Sequence, residues 1–194
     1  MNDKIKEIEE YAIKNNIPIM QKDGIEYLLK YIKENNIKNI LEVGTAIGYS
    51  SIRMALLDEN IKVTTIERDK ERYNEAVKNI ECFNLKNRIN IIYKDALEVE
   101  LKDKFDLIFI DAAKAQNIKF FEKYKNNLNN NGTIITDNMY FHGLIFKESK
   151  DIESRNLRQL MRKLKNYHKF LKENKEYKTE FIDLGDGIAI TKKN

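Results

Sequence analysis

The chain has no tryptophan, one proline and one cysteine in 194 residues. A lone cysteine, Cys82, excludes an internal disulfide and any thiolate metal cluster. Its place in a helical pattern beside Ile80 and Phe83 makes it a core or interface thiol rather than a nucleophile. The near absence of proline, with hydrophobic residues at 42%, describes a globular chain rich in regular structure. No charged-then-apolar leader and no run of about 18 apolar residues is present, so neither export nor membrane spanning is indicated and the cytoplasm is the expected location. Charge of one sign is also lacking: 35 basic residues against 31 acidic ones leave +4, too little to name a partner.

What is there centres on residues 40–51, Ile-Leu-Glu-Val-Gly-Thr-Ala-Ile-Gly-Tyr-Ser-Ser. An apolar run suited to a buried parallel strand stops at Gly44, and a helical pattern begins after Gly48. Glycine permits positive φ and close approach of a ligand, and the start of the next helix offers free N–H groups. Strand, tight loop and helix make a nucleotide-sized cradle. Lys62–Ile66 reads as the second strand and ends on Glu67, about 20 positions past the turn, where this kind of site holds a ribose diol.

Two amphipathic helices precede this stretch, over Asp3–Asn15 and Gly24–Asn35, joined by an extended connection that Pro18 keeps out of helix. Beyond it the pattern predicts strand 61–67, a helix over 69–83 opened by Asp69, strand 88–93, strand 105–110, helix 114–128, a turn at 129–132 and strand 133–136. Strict alternation from 38 to 138 calls for a parallel sheet with right-handed crossovers. A long helix at about 151–174 then leads to strands 177–184 and 188–192, joined through Gly185-Asp186-Gly187 as an antiparallel hairpin. The expected fold is α/β and Rossmann-like: a mostly parallel seven-stranded sheet with helices on both faces. One domain spans 1–194, with N-terminal helices over 1–36 and the core over 37–194.

In open α/β sheets ligands collect outside the carboxyl ends of the strands. Glu67, Asp95, Asp111, Asp137 and Asn138 all fall at such ends. Any one of them could be a helix cap or turn former; five at one sheet edge point to a site. Asp111, Asp137 and Asn138 are hard oxygen donors that suit Mg²⁺ better than zinc. Lys114, three residues after Asp111, would sit over the same mouth, where its proton could leave more easily than usual; the alternative is an ordinary helix-surface lysine.

The segments Glu42–Ser50, Thr65–Glu67, Phe109–Lys114 and Thr136–Asn138 together resemble the cation-dependent O-methyltransferases, the catechol and caffeoyl-CoA type. The resemblance covers nearly the whole chain. It implies a class I methyltransferase fold and S-adenosylmethionine as cofactor, with Met20, the Gly44 loop and Ser50 around the methionine and sulfonium end, Glu67 on the ribose, Asp95 and Ala96 at the adenine, and Asp111 near the methionine moiety. It further implies Mg²⁺ on Asp111, Asp137 and Asn138, Lys114 as base or electrostatic helper, and a homodimer, for which the N-terminal helices offer apolar surface. Within the family, residues 18–20, 48–55, the Arg-rich helix near 155–162 and 185–190 resemble most the bacterial branch that methylates 5-hydroxyuridine at the tRNA wobble position. Small-molecule members often carry Trp after the Asp-Asn pair, whereas this chain has Phe141-His142-Gly143 there.

The helix over 155–172 holds seven Lys or Arg and no acid. Arg155, Arg158, Arg162, Lys165, Lys169 and Lys172 fall on one stripe opposite Leu157, Leu160, Met161, Leu164, Tyr167 and Leu171, so one face packs and the other is wholly basic. A solvated face and a phosphate-binding face both fit; arginine forks match phosphate oxygens, and an anticodon stem-loop could lie along the helix with an unstacked base in the pocket. Phe141 and His142 could stack on that base or serve as loop packing. Three readings stay open: a tRNA wobble methyltransferase, a small-molecule catechol-type O-methyltransferase, and a non-catalytic binding module.

Overall fold

The computed structural model describes residues 2–194. Helices α1 (Asn2–Lys14) and α2 (Lys22–Glu34) precede β1 (Asn39–Val43), α3 (Tyr49–Ala55), β2 (Lys62–Glu67), α4 (Lys70–Cys82), β3 (Ile89–Tyr93) and β4 (Phe105–Ile110). Then come α5 (Asn117–Tyr124), β5 (Leu128–Thr136), α6 (Arg155–Lys172), β6 (Tyr177–Ile182) and β7 (Ile188–Lys193). The strands lie in the order β3-β2-β1-β4-β5-β7-β6, the first five parallel and β7 antiparallel to both its neighbours. The chain winds outward from β1 to β3, returns, and winds the other way through β4 and β5. The reversal therefore falls between β1 and β4, where α/β sheets open their binding crevice.

Period-two alternation in strands buried on both sides assigns the two cores. Ile40, Val63, Leu107, Phe109, Ile135 and Ile188 face α1, α2 and α3, meeting Ile8, Leu28, Ile32 and Ile52. Leu41, Val43, Ile108, Ile110, Ile134 and Ala189 face α5 and α6, meeting Phe121, Tyr124, Tyr167 and Leu171. A smaller cluster, Ile145, Ile152, Met161 and Leu164, seals the 139–154 connection against α6. No helix among the described residues is long and apolar enough to cross a membrane.

Four local expectations are corrected. The helix expected over 114–128 is α5 flanked by short 3₁₀ turns at Lys114–Gln116 and Lys125–Asn127; no side chain caps either start, and the uncapped turn tightens. The Asn129–Gly132 turn is instead a bulge inside β5: Phe105 pairs with Leu128 and Leu107 with Thr133, so 129–132 lie opposite Asp106. Asp106 anchors that irregularity by accepting from Asn129 Nδ2 (2.6 Å) and from the N–H groups of Lys38 (3.1 Å) and Asn39 (2.9 Å). The long C-terminal helix starts at Arg155, capped by Ser154, rather than at 151. Cys82 is exposed at the end of α4, on the face away from buried Ala76 and Ile80, which excludes the core role expected for it and leaves the interface one.

Candidate active site

Single backbone rungs beyond the strand ends assemble the site. Gly44 N–H donates to the Ile66 carbonyl (3.1 Å), Asp111 N–H to Val43 (3.0 Å) and Asp137 N–H to Ile110 (3.2 Å). The residues that follow β1, β4 and β5 are thus set side by side along one sheet edge, about one strand spacing apart. A cavity of about 500 Å³ opens there. Met20, Gly44, Ser50, Glu67, Asp95 and Ala96 line one half, and Asp111, Lys114 and Asn138 the other. Asp137 stands behind them, 5% exposed.

In the first half every acid is held. Glu67 Oε2 accepts from Ala46 N–H (2.9 Å), and Oε1 accepts from Arg68 N–H (2.9 Å) and Asp69 N–H (2.8 Å), tying the glycine loop to the end of β2. Asp95 accepts from Leu97 N–H (2.9 Å) as the cap of a short 3₁₀ turn, and its other oxygen meets Arg68 Nη1 at 3.2 Å. Ser50 donates to Glu42, a fully buried carboxylate that also accepts from Ser51 and from Thr65 Oγ1 (2.6 Å). Burial pushes Glu42 up to about 7 despite those three donors, and the charge of Asp111 pushes the same way. Glu42 was not singled out by sequence reasoning. Its signal was there: an acid inside an apolar strand, one turn of chain before two serines.

Gly44 owes its identity to the chain itself. With φ at 103°, a Cβ there would lie 2.2 Å from the Asp111 carbonyl oxygen, so the close approach of the segments that follow the parallel neighbours β1 and β4 forbids a side chain before any ligand arrives. Gly48, at φ 85°, starts α3 and merely needs left-handed backbone.

The second half is differently built. Lys114 Nζ is 2.7 Å from Asp111 Oδ1, its side chain 10% exposed. Asp137 is raised to about 7, first by burial and next by the negative charge of Asp111, with Lys114 and the Asn138 N–H working against the rise. Asp186 adds to it from the β6–β7 turn. Asn138 takes left-handed backbone (φ 65°), as do Phe141 and His142, which wall the cavity. Gln116 Oε1 at the cavity edge and both polar side-chain atoms of Asn117 are buried without a hydrogen-bond partner.

The four residues of the basic stripe expected to meet RNA, Arg155, Arg158, Arg162 and Lys165, separate into two pairs. Arg158 donates to the carbonyls of Ile152 and Glu153 (2.8 Å), and Lys165 donates to that of Lys147 (2.9 Å), so both fasten the 139–154 connection to α6. Arg155 and Arg162 are exposed. None of the four lines the cavity. The same connection carries Phe146, 73% exposed, tilted at 50° against Tyr140 (5.1 Å), which in turn stacks on His168 (6.4 Å) and through it on Phe181 (4.9 Å).

The O-methyltransferase family profile matches residues 1–194. A caffeoyl-CoA O-methyltransferase of Populus kitakamiensis is 27% identical, over 99% of this chain and 87% of that one. A structure from Staphylococcus aureus, provisionally assigned as a caffeoyl-CoA O-methyltransferase, is 40% identical, covers 98% of this chain and 92% of its own, and superposes with a TM-score of 0.93. An O-methyltransferase of Bacillus cereus in complex with SAH shares the fold at 23% identity, with a TM-score of 0.84 over 99% of this chain and 91% of that one.

Proposed function

The chain belongs to the O-methyltransferase family, and from that membership we propose that it transfers a methyl group from S-adenosylmethionine to the 5-hydroxyl of 5-hydroxyuridine at the wobble position of tRNA, with Mg²⁺. The observation that carries the RNA reading is a basic helix face, open at Arg155 and Arg162, joined through one connection to an exposed Phe146 and to the cavity wall at Phe141 and His142. Arginine forks and an exposed aromatic ring are what a phosphate backbone and an unstacked base require.

The residues fit both the cofactor and the cation. Glu67 and Asp95 offer carboxylate oxygens for hydroxyl and amine donors beside apolar Met20, Ile66, Ala96 and Phe120, in a cavity of the right size for such a cofactor. Among the described residues no three His, Cys, Asp or Glu side chains gather as a metal cage; the donor set is two carboxylates and the Asn138 amide, and Asp137 is a buried acid short of positive charge. Such a set suits a hard divalent cation. When bound, the cofactor supplies a sulfonium methyl and the cation supplies a Lewis acid for the acceptor oxygens.

The chain's own part is placement and charge. Asp111 and Gly44 hold the two halves of the cavity in contact, which keeps methyl donor and acceptor in register. The Lys114 ammonium, fixed by Asp111, stabilises the negative charge that grows on the acceptor oxygen as its proton leaves. With the cofactor bound, that oxygen would stand to receive the sulfonium methyl, the neutral thioether being the leaving group. Association into a homodimer belongs to the same proposal, with exposed Tyr11 and Ile13 of α1 supplying apolar surface; sedimentation of the purified chain tests it.

A hydroxylated anticodon stem-loop incubated with cofactor and Mg²⁺ should gain a methyl group by mass spectrometry, and chelation should stop it. An unmethylated stem-loop overturns the RNA reading. The second reading, a small-molecule catechol-type O-methyltransferase, is favoured by the names of the relatives above. Catechols present the same pair of adjacent oxygens, so turnover of catechols alone would select it.

A further inference from the structure

Phe141 (φ 47°), His142 (φ 55°) and Gly143 (φ 74°) take left-handed backbone in succession just beyond the Asp137-Asn138 pair. Consecutive L-residues rarely adopt that conformation unless their surroundings impose it. The surroundings here are the tight turn between β6 and β7. Met139 N–H donates to the Gly187 carbonyl (2.9 Å), Tyr140 N–H to the Asp186 carbonyl (2.7 Å), and His142 N–H to Asp186 Oδ1. Gly187 lets the two segments touch, since a Cβ there would lie 2.7 Å from the Tyr140 ring.

Asp186 itself is 6% exposed, and its Oδ2 is buried with no hydrogen bond, His142 Nδ1 standing 3.8 Å off. A hairpin turn needs its glycines, Gly185 (φ 57°) and Gly187 (φ 81°); it does not need a buried carboxylate between them, and burying one is costly. The costly group is bonded to the strained wall of the cavity.

We propose that Asp186 is a positioning residue: its carboxylate locks Phe141 and His142 into the wall that receives the methyl acceptor, and so governs acceptor binding without touching acceptor or cofactor. The inference rests on the methyl-transfer reading of the cavity and is indifferent to whether the acceptor is an RNA base or a catechol.

The test compares Asp186→Ala, Asp186→Asn and Gly143→Ala in the full chain. Each is assayed with 3,4-dihydroxybenzoate and with the hydroxylated anticodon stem-loop, with cofactor Kd measured by calorimetry. Loss of a buried hydrogen bond to a charged group predicts an acceptor KM raised about tenfold or more in Asp186→Ala, with cofactor Kd within about twofold. Asp186→Asn keeps an oxygen for His142 N–H and should fall within about threefold of wild type. An alanine at 143 meets nothing within 4 Å, so it acts through φ alone and should raise acceptor KM by a smaller factor. Hydrogen exchange at the His142 amide reads the lock without turnover: faster in Asp186→Ala, protected in Asp186→Asn. An Asp186→Ala protein with wild-type acceptor KM, equal losses for acceptor and cofactor, an asparagine as damaging as alanine, or unchanged His142 exchange each overturns the proposal. If Asp186→Ala does not fold, the other two variants and the exchange experiment decide. A wild type that methylates neither probe defeats the functional reading instead, and the exchange result then stands alone.

Discussion

The two halves of the cavity are built on opposite principles. At the ends of β1, β2 and β3 each acid is already bonded: Glu67 by three backbone N–H groups, Asp95 by a cap and an arginine, Glu42 by three hydroxyls. At the ends of β4 and β5 the groups are under-compensated: Asp137 is raised to about 7, Asp186 Oδ2 and Gln116 Oε1 are buried without partners, and the wall is left-handed. The first half is a finished cradle whose shape is fixed by the chain. The second is short of positive charge, which a cation would supply. Preorganisation on one side and deficit on the other is how one sheet edge can hold a cofactor in constant geometry while concentrating its electrostatic work at the acceptor.

The contrast is broken most sharply at Asp137. Asp137→Ala should lower the rate of methyl transfer by about a hundredfold or more, while cofactor Kd by calorimetry stays close to wild type. Because the lost group is a buried carboxylate short of positive charge, metal-free Asp137→Asn should melt no lower than metal-free wild type. A large loss of cofactor binding would show that the two halves are not separable. Glu67→Ala probes the finished half. It strands three N–H groups and should destabilise the fold by about 2–3 kcal/mol, a fall of about 5–10 °C in melting temperature, and should weaken cofactor binding with acceptor KM little changed.

The sheet edge that the two halves share was the most legible part of the site in the sequence, for a physical reason. Glu67, Asp95, Asp111 and Asp137 lie where a period-two apolar run ends, and in a parallel sheet that position alone fixes the edge they share. Asp69 as the cap of α4 was readable in the same way, accepting from Glu71 and Arg72 N–H groups. What escaped depends on contacts distant in sequence. Asp186 looks like a turn former until the turn is seen pressed against residue 142, 44 positions away. The Asn129–Gly132 run looks like a turn because its companion Asp106 is a strand away. Arg158 and Lys165 carried the right charge for phosphate, yet their nearest acceptors are carbonyls of the chain's own connection.

The pH dependence of stability sharpens the same contrast by an intermediate amount. Glu42 and Asp137 are both raised to about 7 in the folded chain, against unfolded values near 4. A carboxyl raised on folding contributes stability that is complete below its unfolded pKa and is lost as pH rises through the folded one. The metal-free protein should therefore melt progressively lower from about pH 5 to pH 8. Mg²⁺ should flatten the Asp137 share of that fall and leave the Glu42 share, so the rise in melting temperature on adding Mg²⁺ should be larger at pH 8 than at pH 6. An equal rise at both would mean that Asp137 is not a ligand.

The smallest effects distinguish the two pairs of basic residues on α6. Arg155→Glu and Arg162→Glu remove open cations, so each should raise the stem-loop KM several-fold, shift the salt slope of RNA binding by about one, and leave catechol turnover untouched. Arg158→Ala and Lys165→Ala instead release the 139–154 connection that carries the cavity wall. Their effect should be weaker on the salt slope but common to both acceptors, because a loosened wall misplaces a catechol as readily as a base. If all four substitutions behaved alike and none changed the salt slope, α6 would serve only to buttress that wall, and the basic stripe would be a solvated face.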